Sequence, residues 1–202
     1  MNEPDMYPMD FSARDFNSST DPLFYRRWSP RSFQKKEIDP QTLETIFDAA
    51  RWSPSCYNDQ PWIFLTSETE EDFQKFHSLL VTVNQKWAHN ASVIGFILSR
   101  NRFTFNSKPN PWGPFDCGAA WMAMTLQARK LGLYTHGMAG VTFDKAYETL
   151  EINRDEYRLV CAFVIGWIDT PDQLPADFQE REKPSERKPV TDIWKKGSLT
   201  EG

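Results

Sequence analysis

Two short stretches of this 202-residue chain hold side chains whose types and spacing could do chemistry. Arg26-Arg27-Trp28-Ser29-Pro30-Arg31 sets guanidinium groups and a hydroxyl close together, and guanidinium forks match the geometry of phosphate oxygens. Taken alone, the pattern also reads as a solvated basic face ahead of a helix, and that is its simpler reading. The second stretch is Ser53-Pro54-Ser55-Cys56-Tyr57-Asn58-Asp59-Gln60-Pro61-Trp62. The Asn and Gln amides supply both donors and acceptors, as the edge of a flavin ring with alternating carbonyls and ring nitrogens requires. An ordinary proline-rich turn accounts for the same residues equally well. Cys56 invites a nucleophile, but no His with an orienting partner stands nearby in sequence, so a small semi-buried thiol is the better reading.

Several classes of function are disfavoured. The chain has neither GxxxxGK[ST] nor GxGxxG, so neither a P-loop nor a Rossmann dinucleotide fold is expected. A formal charge of −5 argues against a nucleic-acid partner, because phosphate backbones are bound by clustered Lys and Arg. Cys56, Cys117 and Cys161 are odd in number and lack a CxxC, while His77, His89 and His136 show no ligand spacing; no disulfide framework and no metal site are expected. The polar N-terminus has no signal-peptide pattern and no run reaches membrane-spanning length, so a reducing cytoplasm is the expected location. Aromatic residues make up 14%, rich enough to serve a core, an interface or a planar ligand.

The elements that would position these stretches follow from periodicity. Residues 1–22 are polar and punctuated and read as a flexible lead-in. Asp39-Pro40 starts a helix with Leu43, Ile46, Phe47 and Ala50 on one face, ending near Trp52. Trp62 to Leu65 reads as a central strand. Ser67-x-x-Glu70 has capping-box form, ahead of a helix with Phe73, Phe76, Leu79, Leu80 and Val83 along one stripe. Ser92 to Ser99 and Leu159 to Ile165 read as two further buried strands. Asn101 to Pro114 is a loop long enough to be a lid. A helix of small residues from Phe115 to Leu131 stops at Gly132, and Thr142 to Leu150 forms a short one. From Asp169 onward, prolines among charges disfavour packed structure yet include Trp194, which suits an extended arm over 169–202 reaching across a neighbour.

Three separated pieces, taken in order, resemble the nitroreductase family of flavoproteins: Arg27 to Phe33, Ala49 to Trp62, and the Gly118-Ala119-Ala120 helix to Leu131-Gly132-Leu133 followed by Gly137 to Gly140. Arg187-Lys188-Pro189-Val190 matches the basic-proline element near that family's C-terminus. The likeness runs from about Phe24 to Trp194, so 23–194 is expected to be one FMN-binding domain. The resemblance implies an α+β fold, a three-layer sandwich with a mostly antiparallel central sheet flanked by helices, in a homodimer with exchanged terminal arms and FMN at the interface. It further implies that Arg27, Trp28, Ser29, Arg31 and Arg187 hold the FMN phosphate and ribityl chain, and that Pro54, Ser55, Cys56, Asn58 and Gln60 line the ring. Met138, Ala139 and Gly140 would approach the ring where backbone N–H groups meet N5 and O4.

Such enzymes carry no acid-base triad. Hydride passes from NADH or NADPH to flavin N5 and then, by a ping-pong scheme, to a small acceptor such as a nitroaromatic or quinone. Enone reduction, reductive dehalogenation, flavin breakdown or a non-catalytic flavin-binding dimer are the alternatives within this superfamily. Phe105, Asn110, Trp112 and Phe115 are candidate lid residues. Ala139 stands where some relatives carry an acidic residue, and the mid-chain Asn and Lys that reach the flavin in longer relatives have no evident counterpart.

Overall fold

The structure, a computed structural model, describes residues 7–17 and 19–199. Its frame is a four-stranded antiparallel sheet in the order β1-β2-β4-β3, with β1 at Trp62–Thr66, β2 at Val93–Arg100, β3 at Tyr134–Met138 and β4 at Tyr157–Gly166. β2 and β4 are central, and seven of the eight residues of β2 are buried on both faces, which is why that strand reads as a continuous apolar run rather than an alternation. Register places Phe64 beside Ile97, Ile97 beside Cys161, and His136 beside Val164. A register shift between Ile97 and Leu98 lodges Val160 as an extra residue on β4.

Helices form the outer layers. α1 spans Pro22–Arg26, α2 Pro40–Arg51, α3 Glu70–His77, α4 Thr82–Ala88, α5 Gly113–Lys130, α6 Phe143–Thr149, α7 Ala176–Gln179 and α8 Val190–Ile193. Alternate strand residues point to opposite faces. Ile94, Phe96, Leu98, Ala162 and Val164 pack toward Phe73 and Phe76 of α3 and Trp87 of α4. Val93, Ile97, Phe163 and Ile165 pack toward Ile46 and Ala50 of α2 and Cys117, Ala120, Met124 and Ala128 of α5. This is the three-layer α+β arrangement that the resemblance implied.

The helix expected to run on to Val83 is two helices. Leu80 bridges to Val141 and the Val81 amide donates to the Gly140 carbonyl, so the chain leaves α3, touches the segment after β3 and re-enters as α4. Thr69, not Ser67, caps α3, its hydroxyl accepting the Asp72 amide, while the Ser67 hydroxyl accepts the Ile94 amide and closes the end of the sheet. β3 escaped the periodicity reading because Thr135, His136 and Gly137 interrupt any apolar run. Of the lead-in expected over 1–22, residues 1–6 and 18 lie outside the described residues; within the rest, Tyr7, Met9 and Phe11 lie against the core, Phe16 stacks on Tyr25 at 3.8 Å, and Arg14 is only 6% exposed.

Gly95 in β2 makes room for the Phe163 ring: a Cβ there would lie 2.3 Å from Phe163 Cζ and 2.7 Å from the Leu65 carbonyl oxygen. Gly95→Ala is expected to lower stability by about 1–3 kcal/mol through overpacking, read as a fall in the urea midpoint at unchanged slope.

Candidate functional site

Three chain segments bring cations to one cavity of about 220 Å³, lined by Arg14, Arg27, Trp28, Ser29, Arg31, His136, Lys183, Ser185 and Arg187. Asp21 caps α1, its carboxylate accepting the Leu23 amide, and the chain leaves α1 through an extended Arg27 to run alongside β3, where the Pro30 carbonyl meets His136. Phe33 then bridges to Ile168, fixing this segment to the chain after β4. The C-terminal arm crosses the same place, with the Arg31 and Ser32 amides donating to Glu182 Oε1 at 2.6 and 2.9 Å. Glu182 Oε2 stands 3.7 Å from Arg31 Nη1, an ionic contact longer than a hydrogen bond. Burial raises the pKa of the Glu182 carboxyl, against the pull of the two amides and Arg31.

Like charge and burial act together on the remaining guanidiniums. Burial first, then Arg187, lowers the pKa of Arg27; burial, Arg187 and Arg27 bring Arg14 down to about 10. Arg27 Nε and Arg14 Nη2 are buried and lack a hydrogen-bond partner among the described residues. Arg187 turns its Nη1 back on Ser185 Oγ at 2.7 Å and the Glu186 carbonyl at 2.8 Å. A concave surface so charged is built for an anion with several acceptor oxygens.

His136 forms part of the wall. Its Nδ1 lies 2.8 Å from the Pro30 carbonyl, which requires a proton on that nitrogen, and Trp87 packs on the ring at 4.6 Å. From His136 the chain runs to Met138, which is buried, then to Ala139, which is exposed, and Gly140. Asn84 of α4 donates to the Gly140 carbonyl at 3.2 Å. β3 ends at Met138, and the Val141 amide donating to the Ala139 carbonyl turns the chain at Gly140.

The amide-rich turn lies elsewhere. Ser55 Oγ accepts the Gln60 amide, the Asn58 amide donates to the Ser55 carbonyl, and Asp116 at the start of α5 accepts the Cys56 amide at 3.1 Å. Burial raises the pKa of the Asp116 carboxyl, with the Asp59 charge acting in the same direction and the Cys56 hydrogen bond opposing it. Tyr57, Asn58 and Gln60 all have positive φ, a conformation that these contacts sustain at a cost. Asp59 Oδ1 accepts from the Thr104 amide and hydroxyl, tying the turn to the 101–112 loop, where Phe103 and Phe105 form T-shaped and tilted contacts with Tyr57 and with each other.

Trp62, at the end of the turn, pairs through Ser99 to the level of Arg158 on β4, whereas His136 sits at the level of Val164, three strands away. At about 3.3 Å per residue and 4.8 Å per strand the two are roughly 20 to 25 Å apart. Arg27, Trp28, Ser29, Arg31 and Arg187 therefore converge, while Pro54, Ser55, Cys56, Asn58 and Gln60 do not join them within one chain. Of the candidate lid residues, Phe105, Trp112 and Phe115 are exposed and Asn110 is buried, its Oδ1 accepting the Trp112 amide. The sequence reading missed Arg14, Lys183, Ser185, His136 and Asn84. A larger groove of about 660 Å³, lined by residues including Lys35, Phe73, His89 and Val93, lies at the joined ends of β1 and β2, away from both.

A family model described as "Nitroreductase family" matches residues 25–76 and 63–167. A solved structure described as an oxidoreductase containing FMN is 40% identical, superposes with a TM-score of 0.88, and covers 93% of this chain and 96% of its own. A nitroreductase from Exiguobacterium sibiricum solved with FMN shares the fold at 22% identity, TM-score 0.73, covering 89% of this chain and 99% of that one. A curated protein of Archaeoglobus fulgidus, named as an NADH dehydrogenase or NAD(P)H nitroreductase, is 31% identical over 111 residues, 55% of this chain and 62% of that relative.

Burial pushes the pKa of His136 down to about 4 from 6.5, aided by the Arg31 charge and opposed by the Pro30 and Ser29 carbonyls. The unfolded chain thus takes up a proton between pH 6.5 and 4 that the folded chain refuses, and stability falls as pH drops through that window. The loss attributable to His136 is expected to be about 1–3 kcal/mol. It is read as the part of the pH dependence of the urea midpoint that His136→Gln abolishes.

Proposed function

The chain belongs to the nitroreductase family, and from that premise we propose that it is an FMN-dependent oxidoreductase that works as a homodimer. The observation carrying this reading is the cavity of guanidiniums at the head of β3, with buried Arg27 Nε and Arg14 Nη2 lacking protein partners among the described residues. Those groups fit a phosphomonoester in charge and donor geometry. The end of β3 from His136 to Met138, with the turn at Gly140, then offers a bed for what the phosphate carries.

Under this reading Arg27, Ser29, Arg31 and Arg187 bind the phosphate and ribityl chain, and Trp28 shapes the wall. Met138, Ala139 and Gly140 lie along the ring, with Asn84 holding the Gly140 peptide in orientation. Pro54, Ser55, Cys56, Asn58 and Gln60 close the ring from a second copy, since their distance from the arginines forbids it within one chain. That copy would pack on the exposed side of α5, where Phe115 is 75% exposed and Gly118 offers open space, and beside Trp52, which is 76% exposed. Domain limits of 23–194, with 169–202 as an arm, are part of the same proposal; Val190, Ile193 and Trp194 are exposed on that arm and suit a partner's surface.

FMN supplies the redox chemistry, hydride from NADH or NADPH in one half-reaction and reduction of a small conjugated acceptor, such as a nitroaromatic or quinone, in the other. The chain's own part is to bind, orient and exclude water. Backbone donors between Met138 and Gly140 would face the ring edge, while the arginine cluster would hold the phosphate. No side chain is required to move a proton.

The protein is expected to purify yellow and dimeric by light scattering, and to bleach on anaerobic mixing with NADH or NADPH. A colourless monomer that takes up no FMN would end this reading. Arg27→Ala is expected to weaken FMN binding by about 10- to 100-fold, the worth of a charge-assisted hydrogen bond, measured by flavin fluorescence.

A further inference from the structure

Arg14 is placed by neither the domain reading nor the family match, which begins at residue 25. It stands out within its segment: Ser12, Ala13, Asp15 and Phe16 are exposed, while Arg14 is 6% exposed and reaches into the cation-lined cavity. Its Nε donates to the Ser185 carbonyl at 3.0 Å, and its Nη1 donates to the carbonyls of Arg27, at 2.8 Å, and Tyr25. Those three acceptors come from the segment bearing Arg27 and from the C-terminal arm. Nη2 is buried and has no hydrogen-bond partner among the described residues. No carboxylate hydrogen-bonds to or ion-pairs with the guanidinium among the described residues; the charges acting on it are those of Arg27 and Arg187.

We propose that Arg14 is a further phosphate-binding residue, and that the segment Tyr7 to Asn17 is a strap which a phosphomonoester in the cavity locks down. A buried cation facing like charges raises the energy of the folded chain unless an anion shares the space. A group carrying two negative charges and three terminal oxygens meets that need, because it can accept from Nη2 while Nε and Nη1 stay on their carbonyls. The strap is also held by Met9, whose sulfur accepts from Trp28 Nε1 at 3.1 Å and the Tyr134 hydroxyl at 3.6 Å, and by the Phe16 stack on Tyr25. The strap therefore has a seat, and the anion supplies the last fastening. Because Arg14 spans both the Arg27 segment and Ser185, that fastening orders all three segments at once.

The inference rests on the flavin reading for the source of the phosphate, FMN as against free phosphate, and deepens it by naming what discriminates FMN from riboflavin. The test uses the full chain stripped of flavin, with Arg14→Ala and Arg14→Gln, the latter able to keep donating to the carbonyls without the charge. Dissociation constants are measured for FMN and riboflavin, and amide exchange of Phe11 to Asn17 is followed with and without inorganic phosphate. Both variants are expected to bind FMN about 10- to 100-fold more weakly and riboflavin within about twofold of the unaltered chain, in which alone phosphate slows exchange of the strap. Equal weakening toward both flavins in Arg14→Gln, or unchanged FMN affinity in either variant, would overturn the role. If the unaltered chain binds neither flavin yet phosphate still slows strap exchange through Arg14, the phosphate role stands and the flavin reading falls.

Discussion

Charge repulsion without an internal remedy governs this structure. Arg27, Arg31 and Arg187 converge with Arg14 and Lys183 on one small volume, and the carboxylate that reaches them, Glu182, spends one oxygen on two backbone amides and leaves the other 3.7 Å from Arg31. Carbonyl dipoles from Tyr25, Arg27, Ser185 and Glu186 soften the clash without cancelling it. In the proposed site an external anion completes the cluster, and the fold brings its parts together: α1 ends at it, β3 runs beside it, and the C-terminal arm returns across it.

The sheet fixes the second constraint. Because β1 and β3 occupy opposite edges, the turn feeding β1 and the anion cavity beside β3 stand diagonally across the molecule. Each is firmly built, the turn by Asp116 and the Asp59–Thr104 bonds, the cavity by Glu182 and the Pro30–His136 bond. A loop swing that joined them within one chain would dismantle both.

Much of this was legible from residue pattern. Helix α2 announced itself through Asp39-Pro40 and a clean apolar face, and β2 and β4 through apolar runs that fit central strands; the apolar run of β1 marked a strand but not its place, because β1 is a half-buried edge strand rather than the central one its pattern suggested. The convergence of Arg27, Arg31 and Arg187 came from matching motifs, since Arg31 and Arg187 lie 156 positions apart and no local rule links them. What stayed hidden depends on tertiary contact. Arg14 sits among polar residues like a solvated side chain, and its burial follows from three distant carbonyls. His136 looked like any histidine until β3, itself masked by Thr135 and Gly137, carried it into the wall. Asn84 could have been found by asking what faces Gly140, whose missing Cβ leaves room for Asn84 and Val81.

The diagonal separation of turn and cavity bears on how such a protein tolerates injury. In the proposed two-chain site, every cofactor takes its anion grip from one polypeptide and its ring contacts from the other. Lesions in the two regions then belong to different complementation groups: chains damaged only in the turn, mixed with chains damaged only at the arginines, reassemble hybrids in which one of the two sites is wholly intact. Selection acts on the pair rather than the polypeptide, so a defect in one copy can be sheltered by an allele whose own defect lies across the sheet.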